Sequence, residues 1–306
     1  ILFLLISVTL LAVPNDFRFR HFSVEDGLSS NSVRAIMQDK YGFLWIGTEE
    51  GLNRYDGIMI KSYSICPQAA GKYISSLYGT KKNIWIGTDE GIYIYAYATE
   101  TFTYFDLTTP NNVRITSIVN HILQDKDGNL WFSTNGQGLF RYNLSKNYLE
   151  QYEFTSAFGI VASTMADSDN QIWALTNQGE SGVYKLNKAE NKFEPFGLLY
   201  NAGNHHSQAL AMLEDSEQTL WLGTWECGLQ KIDKYTRQTT TYLHPTDGKG
   251  VTHIHSLMEY APHQLLIGSD DGLLLFNTLT EEYKLFTENE TVPNSLSNRF
   301  VYPIIK

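Results

Sequence analysis

The sequence predicts an all-β fold, and three observations point to it. A short motif of two strands around a tight turn, "LWIGTEEGLNRYDG" at residues 44–57, returns 40 residues later as "IWIGTDEGIYIYAY". Aromatic residues make up 13% of the chain, with 19 Tyr and 16 Phe, and aromatic side chains favour strands. No segment shows a helical period of apolar residues. A strand motif repeated at this interval is typical of a β-propeller.

The recurring motif can be followed through six units. Its anchor position holds Trp45, Trp85, Trp131, Trp173, Trp221 and Leu266. Successive anchors lie 40, 46, 42, 48 and 45 residues apart, which is the spacing of propeller blades that have four strands each. The sequence therefore predicts six consecutive four-stranded blades.

Each unit can be read as four strands in chain order. Strand A is an apolar run such as "VRAIMQD", and it ends six residues before the anchor in Asp39, Asp125, Asp167 or Asp215. A turn such as "DKYG" follows, in which Asp accepts backbone hydrogen bonds and Gly adopts a positive φ. Strand B is "LWIGT", strand C is "GLNRYD", and strand D is an alternating segment such as "MIKSYS".

The repeated residues have structural explanations. An anchoring Trp flanked by Leu or Ile can fill the wedge between neighbouring blades. Two residues later, a glycine removes a side chain where the blades crowd, at Gly47, Gly87, Gly223 and Gly268. Strand C starts from a glycine whose turn needs a positive φ, at Gly51, Gly91, Gly138, Gly228 and Gly272. We interpret the repeated residues as scaffold rather than as chemistry.

The two ends of the chain predict a seventh blade. The C-terminal "NSLSNRFVYPIIK" matches "DGLSSNSVRAIMQ" before the first unit, with Leu296 over Leu28 and Val301 over Val33. The segment "FRFRHFSV" at 17–24 is similar to the outermost strand of a closing blade. Rings of this kind close by pairing terminal strands in one blade. We therefore expect residues 15–306 to form a seven-bladed propeller, incomplete at its C-terminus, as a fragment of a longer protein.

Composition narrows the setting of the chain. The apolar "ILFLLISVTLLAV" is too short to span a membrane and matches the core of an export signal, so residues 1–14 are expected to be a signal-peptide remnant or a signal anchor. Export places the protein in the periplasm. The net charge of −10 argues against nucleic acid as a partner. Cys66 and Cys227 are expected to be unpaired thiols.

The segment "FSVEDGLSSNSVRAIMQDKYGFLWIGTEEGLNRYDG" closely resembles the two-component regulator propeller repeat. The match is fullest at residues 22–57 and 118–143, and it weakens in the fourth unit ("WALT") and in the sixth, where Leu266 replaces Trp. The resemblance implies the periplasmic sensor region of a Bacteroidetes-like hybrid two-component histidine kinase. It implies an oligosaccharide or other small ligand, an inner-membrane anchor and a homodimer through the full-length protein. Attachment to a diguanylate cyclase is an alternative output.

One face of the predicted ring collects the candidate ligand-binding residues, because the B–C and D–A loops share that face and loops on a rigid scaffold commonly carry recognition. These residues are Asn135, Gln137, Trp225, Glu226 and Asp270 in B–C loops, and His205, His206 and His253 in D–A connections. Trp225 stands where the other units carry acids or amides. An exposed aromatic beside carboxylates is typical of a sugar-binding site. The alternative is that Trp225 packs against a neighbouring loop or an adjoining domain.

Neither a metal site nor a catalytic centre is predicted. The histidines of "HH" at 205–206 and "HIH" at 253–255 belong to different units, and the spacing fixes no third or fourth ligand. No cofactor and no catalytic residue is assigned. Propeller enzymes that act on glycans need paired carboxylates or clustered arginines at the channel mouth. A free-standing secreted enzyme and a protein-binding scaffold remain the alternatives to a sensor.

Overall fold

The structure is a computed structural model that describes residues 17–65, 72–154, 159–176, 182–197, 208–244, 250–289, 291 and 295–305. The predicted signal remnant at 1–14, Cys66 and the His205–His206 pair lie outside these ranges. The all-β fold and six four-stranded blades are confirmed. The one helical element in the described ranges is the 3₁₀ turn Val24–Asp26. Across the same ranges, no helix has the length and hydropathy needed to cross a membrane.

The strands are numbered in chain order, four to each blade. Blade 1 contains β1 (Val33–Gln38), β2 (Leu44–Thr48), β3 (Gly51–Tyr55) and β4 (Ile60–Tyr63). Blade 2 contains β5 (Ile74–Gly79), β6 (Asn83–Thr88), β7 (Gly91–Ala96) and β8 (Thr101–Tyr104). Blade 3 contains β9 (Val119–Gln124), β10 (Leu130–Thr134), β11 (Leu139–Asn143) and β12 (Tyr148–Tyr152). Blade 4 contains β13 (Val161–Ala166), β14 (Ile172–Thr176), β15 (Val183–Asn187) and β16 (Lys192–Gly197). Blade 5 contains β17 (Ala209–Glu214), β18 (Leu220–Thr224), β19 (Leu229–Ile232) and β20 (Thr239–Tyr242). Blade 6 contains β21 (Ile254–Ala261), β22 (Gln264–Ser269), β23 (Gly272–Asn277) and β24 (Tyr283–Phe286).

Every blade is an antiparallel sheet whose strands pair in chain order. The first strand of each blade lies innermost, and these strands pack side by side from β1 through β5, β9, β13 and β17 to β21. They form the wall of a central channel. The connections into the first strand and the turns between second and third strands open on one face of the ring, which is the face predicted to carry recognition.

The anchor tryptophans lie between blades, where the sheets would otherwise leave a wedge. Trp131, for example, packs in one cluster with Val161 and Ile172 of blade 4. Four of the buried indoles also have a polar partner, an aspartate that the sequence pattern had linked only to the turn. The Nε1 atoms of four anchors donate to the Asp six residues earlier, at 2.8 Å for Trp45–Asp39, 2.8 Å for Trp131–Asp125, 3.0 Å for Trp173–Asp167 and 2.7 Å for Trp221–Asp215. The carboxylate therefore ties the turn to the inter-blade wedge.

Two blades depart from this pairing in different ways. In blade 2, Gly79 occupies the Asp position, and the Nε1 of Trp85 is buried with no hydrogen-bond partner in the described part of the chain. In blade 6, Tyr260 and Leu266 replace both partners. A buried donor without an acceptor is destabilising, so blade 2 carries a cost that blade 6 avoids.

The glycines after the anchors show how closely the blades approach. A Cβ on Gly47 would lie 2.5 Å from Cγ2 of Ile74, the first residue of the next blade. A Cβ on Gly223 would lie equally close to Ile254. After blade 6, a Cβ on Gly268 would meet Val301, 2.6 Å from its carbonyl oxygen, and the Val301 N–H donates to Ser269 O at 2.9 Å. Val301 thus occupies the same position relative to blade 6 that Ile74 occupies relative to blade 1.

The segment predicted as an outer strand at 17–24 differs from expectation. It forms no strand, and the 3₁₀ turn begins at Val24. Phe17 instead packs edge-on against Phe286 of blade 6, with ring centroids 5.1 Å apart, and against Tyr260 at 5.6 Å. A strand needs a neighbouring backbone for its hydrogen bonds, and no described strand pairs with this segment. Its apolar side chains cover the exposed side of blade 6.

Candidate functional site

The innermost strand of every blade has a β-bulge at its second residue. In blade 1, Val33 pairs with Thr48 and Ala35 with Gly47, which leaves Arg34 as the extra residue. A bulge redirects a side chain away from the regular pleat. The six bulged residues all line the central channel, and they are Arg34, Ser75, Asn120, Ala162, Leu210 and His255. Tyr302, one residue after Val301, lines the channel at the corresponding position.

The channel that these residues line has a volume of about 670 Å³. The bulged residues on its wall are divided by polarity. Blades 6, 1, 2 and 3 contribute the polar bulged residues, whereas blades 4 and 5 contribute Ala162 and Leu210. Tyr73 and Asn135 add a phenol and an amide to the polar side. The channel can therefore offer hydrogen bonds on one side and apolar contact on the other.

Trp225 lies near this channel on the face of the ring where the connections into the first strands and the turns between second and third strands open (the loop face). Its aromatic side chain is held in place by a neighbouring residue. Its ring stacks on His253, with centroids 3.8 Å apart and planes inclined by 28°, and its side chain remains 38% exposed. The His253 N–H also donates to the Trp225 carbonyl at 3.0 Å. His253 adopts a φ of +49°, an uncommon conformation for a residue with a side chain. The stack joins blades 5 and 6 and leaves part of Trp225 exposed to solvent.

Asp270 holds two histidines in place behind the tryptophan. Its carboxylate accepts from Nδ1 of His253 and, at 2.7 Å, from Nε2 of His255. Burial opposes ionisation of Asp270, but the two imidazole hydrogen bonds outweigh it and hold the pKa of Asp270 below its ordinary value. Burial lowers the pKa of His255, and the bond to Asp270 offsets this only in part. The arrangement is therefore an ionised carboxylate that accepts from two imidazole N–H groups.

The histidine cluster continues across the channel mouth. The ring centroids of His255 and Tyr302 lie 4.4 Å apart, and the Arg34 guanidinium carbon lies 4.9 Å from the centroid of the same Tyr302 ring. Arg34 Nε donates to Glu49 at 2.9 Å. Hydrogen bonding from Arg34 lowers the pKa of Glu49, so the carboxylate stays ionised and paired. Side chains from blades 5, 6 and 1 thus form one continuous polar and aromatic surface.

The structure brings together some of the predicted ligand-binding residues. Trp225, His253 and Asp270 lie in one cluster, and Asn135 lines the channel. Gln137 instead holds the connection into β9, because its side-chain oxygen accepts from Thr116 N at 2.9 Å and from Ser117 N at 3.0 Å. Glu226 is exposed next to Trp225. His205 and His206 lie outside the described residues, so their assignment stays a prediction.

Sequence reasoning missed the bulged residues as a set. Arg34 and His255 follow the first apolar residue of strand A in their units, and the same place in other units holds Ser, Asn, Ala or Leu. Variation at one fixed place in an otherwise regular repeat is the signal that could have identified them. In a regular strand these side chains would point in other directions, so the set of channel-lining residues could be recognised only once the bulges were known.

The described residues contain no group of three or more His, Cys, Asp or Glu side chains arranged to hold a metal ion. In the His253–Asp270–His255 cluster, two ring nitrogens are already engaged by the carboxylate. Cys227 is buried, and Cys66 lies outside the described ranges. The prediction that the two thiols are unpaired therefore stays untested.

His121 on the channel wall makes the stability of the fold pH-dependent. Burial lowers its pKa from 6.5 to about 4, and its ring faces Thr164 Oγ1 at 3.5 Å. The unfolded chain takes up this proton first as the pH falls, so the stabilisation is full above pH 6.5 and is lost toward pH 4. The His121 side chain borders the channel, and solvent there reduces the effect of burial. We therefore expect the free energy of unfolding to be lower by about 1–2 kcal/mol at pH 5.

Urea denaturation at pH 7.5 and pH 5 measures this effect. The His121→Asn variant should lose that part of the pH dependence while it keeps the part shared by the remaining groups. An unchanged difference between the two pH values in His121→Asn would contradict the assignment.

Comparison with known proteins agrees with this architecture. Residues 27–50 and 113–136 match the family model of the two component regulator propeller. Over 68 residues the chain is 46% identical to histidine kinase P4 of Formosa agariphila, an alignment that covers 22% of this chain and 5% of the kinase. The chain therefore spans a small part of this relative.

Solved structures show the same fold. The extracellular domain of a putative hybrid two component system from Bacteroides thetaiotaomicron superposes with a TM-score of 0.77 and 23% identity, over 93% of this chain and 38% of that one. A virginiamycin B lyase from Staphylococcus aureus superposes with a TM-score of 0.66 and 15% identity, over 83% of both chains. The fold is shared by proteins of different kinds. This chain is a β-propeller, and two of its segments match the two component regulator propeller model.

Proposed function

We propose that this chain is the extracytoplasmic, ligand-sensing propeller of a hybrid two-component sensor kinase and that its ligand is an oligosaccharide. The observation that carries the proposal is the Trp225 surface. One indole face is covered by His253, Trp225 is still 38% exposed, and the Asp270 carboxylate that holds His253 also holds His255 on the channel wall. Pyranose rings stack their C–H faces on such indoles while their hydroxyls bond to nearby polar groups. A rigid aromatic surface also loses little conformational entropy on binding.

The repeats and the kinase relative support the sensor part of the proposal. Because the chain spans 5% of that kinase, the membrane anchor, the histidine kinase and the homodimer are parts of the proposal that concern a longer protein. A ligand shifts a signalling equilibrium only through unequal affinity for two states. Trp225 and His253 belong to adjacent blades, so a ligand on this surface contacts a junction whose geometry can differ between states.

Removal of the aromatic surface tests the proposal. An oligosaccharide that binds the chain should lose about 10- to 100-fold in affinity for Trp225→Ala, because the substitution removes the stacking partner. Calorimetric titration with an array of neutral and acidic plant, algal and host tetrasaccharides measures this directly. The matched control is Tyr235→Ala, an 80% exposed aromatic on a turn between third and fourth strands, which should leave affinity unchanged.

The same array separates the alternatives. Turnover of a bound tetrasaccharide would favour a glycan-active enzyme, and binding to a protein in place of any glycan would favour a scaffold. Equal affinities of parent and Trp225→Ala would remove the ligand site from this surface. Ligand-dependent autophosphorylation of the full-length protein would indicate a histidine kinase output, whereas ligand-dependent synthesis of a cyclic dinucleotide would indicate a diguanylate cyclase output.

A further inference from the structure

We propose that the mouth of the channel is the subsite for the terminal residue of the ligand and that this residue is an uncharged sugar. The inference rests on the proposed function, since it defines which sugar the Trp225 surface presents to the channel. It concerns the ring of bulged residues and Tyr302, which the sensing proposal does not itself require.

The polarity of the ring is the first argument. Ala162 and Leu210 form an apolar arc, and Ser75, Asn120 and His255 lie across from it on the polar side. A pyranose has the same division, with hydroxyls at its edge and C–H groups on its faces. The Asn135 side chain lines this channel and makes no hydrogen bond within the described part of the chain.

The charges near the mouth are the second argument, because they are already paired. Arg34 is bonded to Glu49, and Lys72 is bonded to Glu90. Asp270 accepts from two histidines. A ligand carboxylate or sulfate would have to compete with Glu49 or Glu90 for its cation. Both carboxylates are partly exposed to solvent, so an exchange of partners would add little binding free energy.

The remaining charge on the loop face also disfavours an anion. Glu50 and Asp89 lie in the turns after the second strands of blades 1 and 2, and Glu226 lies beside Trp225. Arg34, Lys72 and Arg114 on this face are each paired with a carboxylate, and Arg299, two residues before Val301, lies over the Phe300 ring. Like charges disfavour approach of an acidic sugar. Neutral hydroxyls and amides are therefore the groups assigned to recognition. Ser75 Oγ and Asn120 Nδ2 already donate to Val119 O and Val161 O at 2.9 Å, and the oxygen of each side chain can still accept from a ligand hydroxyl.

Continuity with the aromatic surface is the third argument. The ring centroids of Trp225 and His253 are 3.8 Å apart, those of His253 and His255 are 6.4 Å apart, and those of His255 and Tyr302 are 4.4 Å apart. These ring contacts link Trp225 to His255 and Tyr302, which line the channel. In this proposal a short oligosaccharide stacked on Trp225 runs along these rings and places its end residue within the ring of bulged side chains.

The experiment compares oligosaccharides that differ only at C6. Cellotetraose, mannotetraose and α-1,4-galactotetraose are titrated into the full chain beside their uronic acid counterparts. We expect the neutral member of a binding pair to bind about tenfold more tightly or better. Its affinity should also change little between low and high salt, since no charged contact is formed.

A blocking variant tests the channel itself. Ala162→Phe places a ring in the mouth and leaves Trp225 intact, so affinity for the neutral member should fall by about tenfold or more. Ala98→Phe makes the same change at an exposed turn between third and fourth strands and serves as the control. Thermal unfolding of both variants verifies that the fold is retained, and Ala162→Leu provides a smaller obstruction if Ala162→Phe does not fold.

The outcomes separate this inference from the proposed function. Tighter, Trp225-dependent binding of the acidic members would overturn the uncharged sugar and keep the sensor. Full affinity in a folded Ala162 variant would overturn the channel subsite and keep the Trp225 surface. Failure of every glycan in these pairs and in the wider array would overturn the proposed oligosaccharide ligand and this inference with it.

Discussion

Replacing Asp167 by Ala should lower the free energy of unfolding by roughly 3–4 kcal/mol. The Asp167 carboxylate is 3% exposed and accepts from Asp169 N at 3.0 Å, from Gln171 N at 2.8 Å and from Trp173 Nε1 at 3.0 Å. Its loss leaves the indole N–H buried without an acceptor. It also removes both hydrogen bonds that shape the turn between β13 and β14. Urea denaturation of the chain measures the change.

A double-mutant cycle isolates the indole bond from the turn. Asp167→Ala should cost less in a Trp173→Phe background, with a coupling of about 1 kcal/mol or more, because the orphaned donor is then absent. Blade 2 offers the matched comparison. Trp85 already lacks an acceptor, so Trp85→Phe should destabilise the chain less than Trp173→Phe does. Additive effects of Asp167→Ala and Trp173→Phe would show that the hydrogen bond contributes little.

Gly138→Ala should be the second large loss, and Gly128→Ala in the same blade is its control. Both glycines have a left-handed backbone, with φ of +77° and +82°. An alanine at either position pays about 1–2 kcal/mol for that conformation. At Gly138, however, the new Cβ would lie 2.4 Å from the Tyr152 carbonyl oxygen, whereas nothing lies within 4 Å of one at Gly128.

The close contact adds about 1–3 kcal/mol of overpacking at Gly138 alone. We therefore expect Gly138→Ala to cost roughly 3–4 kcal/mol and Gly128→Ala roughly 1–2 kcal/mol. Equal losses measured by urea denaturation would mean that the turn before β11 relaxes to admit the methyl group. The loop also carries Asn135, so a displaced turn should alter the channel wall as well as stability.

The repeat units, their four strands and their turns could be predicted from the sequence because each depends on residues close together in the chain. The anchoring Trp, the glycine two residues later and the acidic turn recur at fixed positions in most units. Their packing roles follow from size and backbone preference, as with Trp131 between blades 3 and 4. The match of Val301 to Val33 likewise placed the residue that crowds Gly268.

The candidate site depended on contacts that no single unit contains. Trp225 was recognised because it departs from its repeat position, but its stacking on His253 joins loops of two blades. Asp270 reaches both His253 and His255 only because a bulge turns His255 out of the regular strand alternation. Such a bulge has no local sequence pattern, since Ala and Leu occupy the same place in blades 4 and 5.

The sequence by itself determined the all-β fold, the six blades and the residues that wedge them apart, because these properties repeat in every unit and act over short distances along the chain. Only the tertiary structure decided which side chains face the channel and which charges are already paired. Those features depend on how adjacent blades approach one another, and the approach is set by packing between units, which the pattern within a unit does not specify.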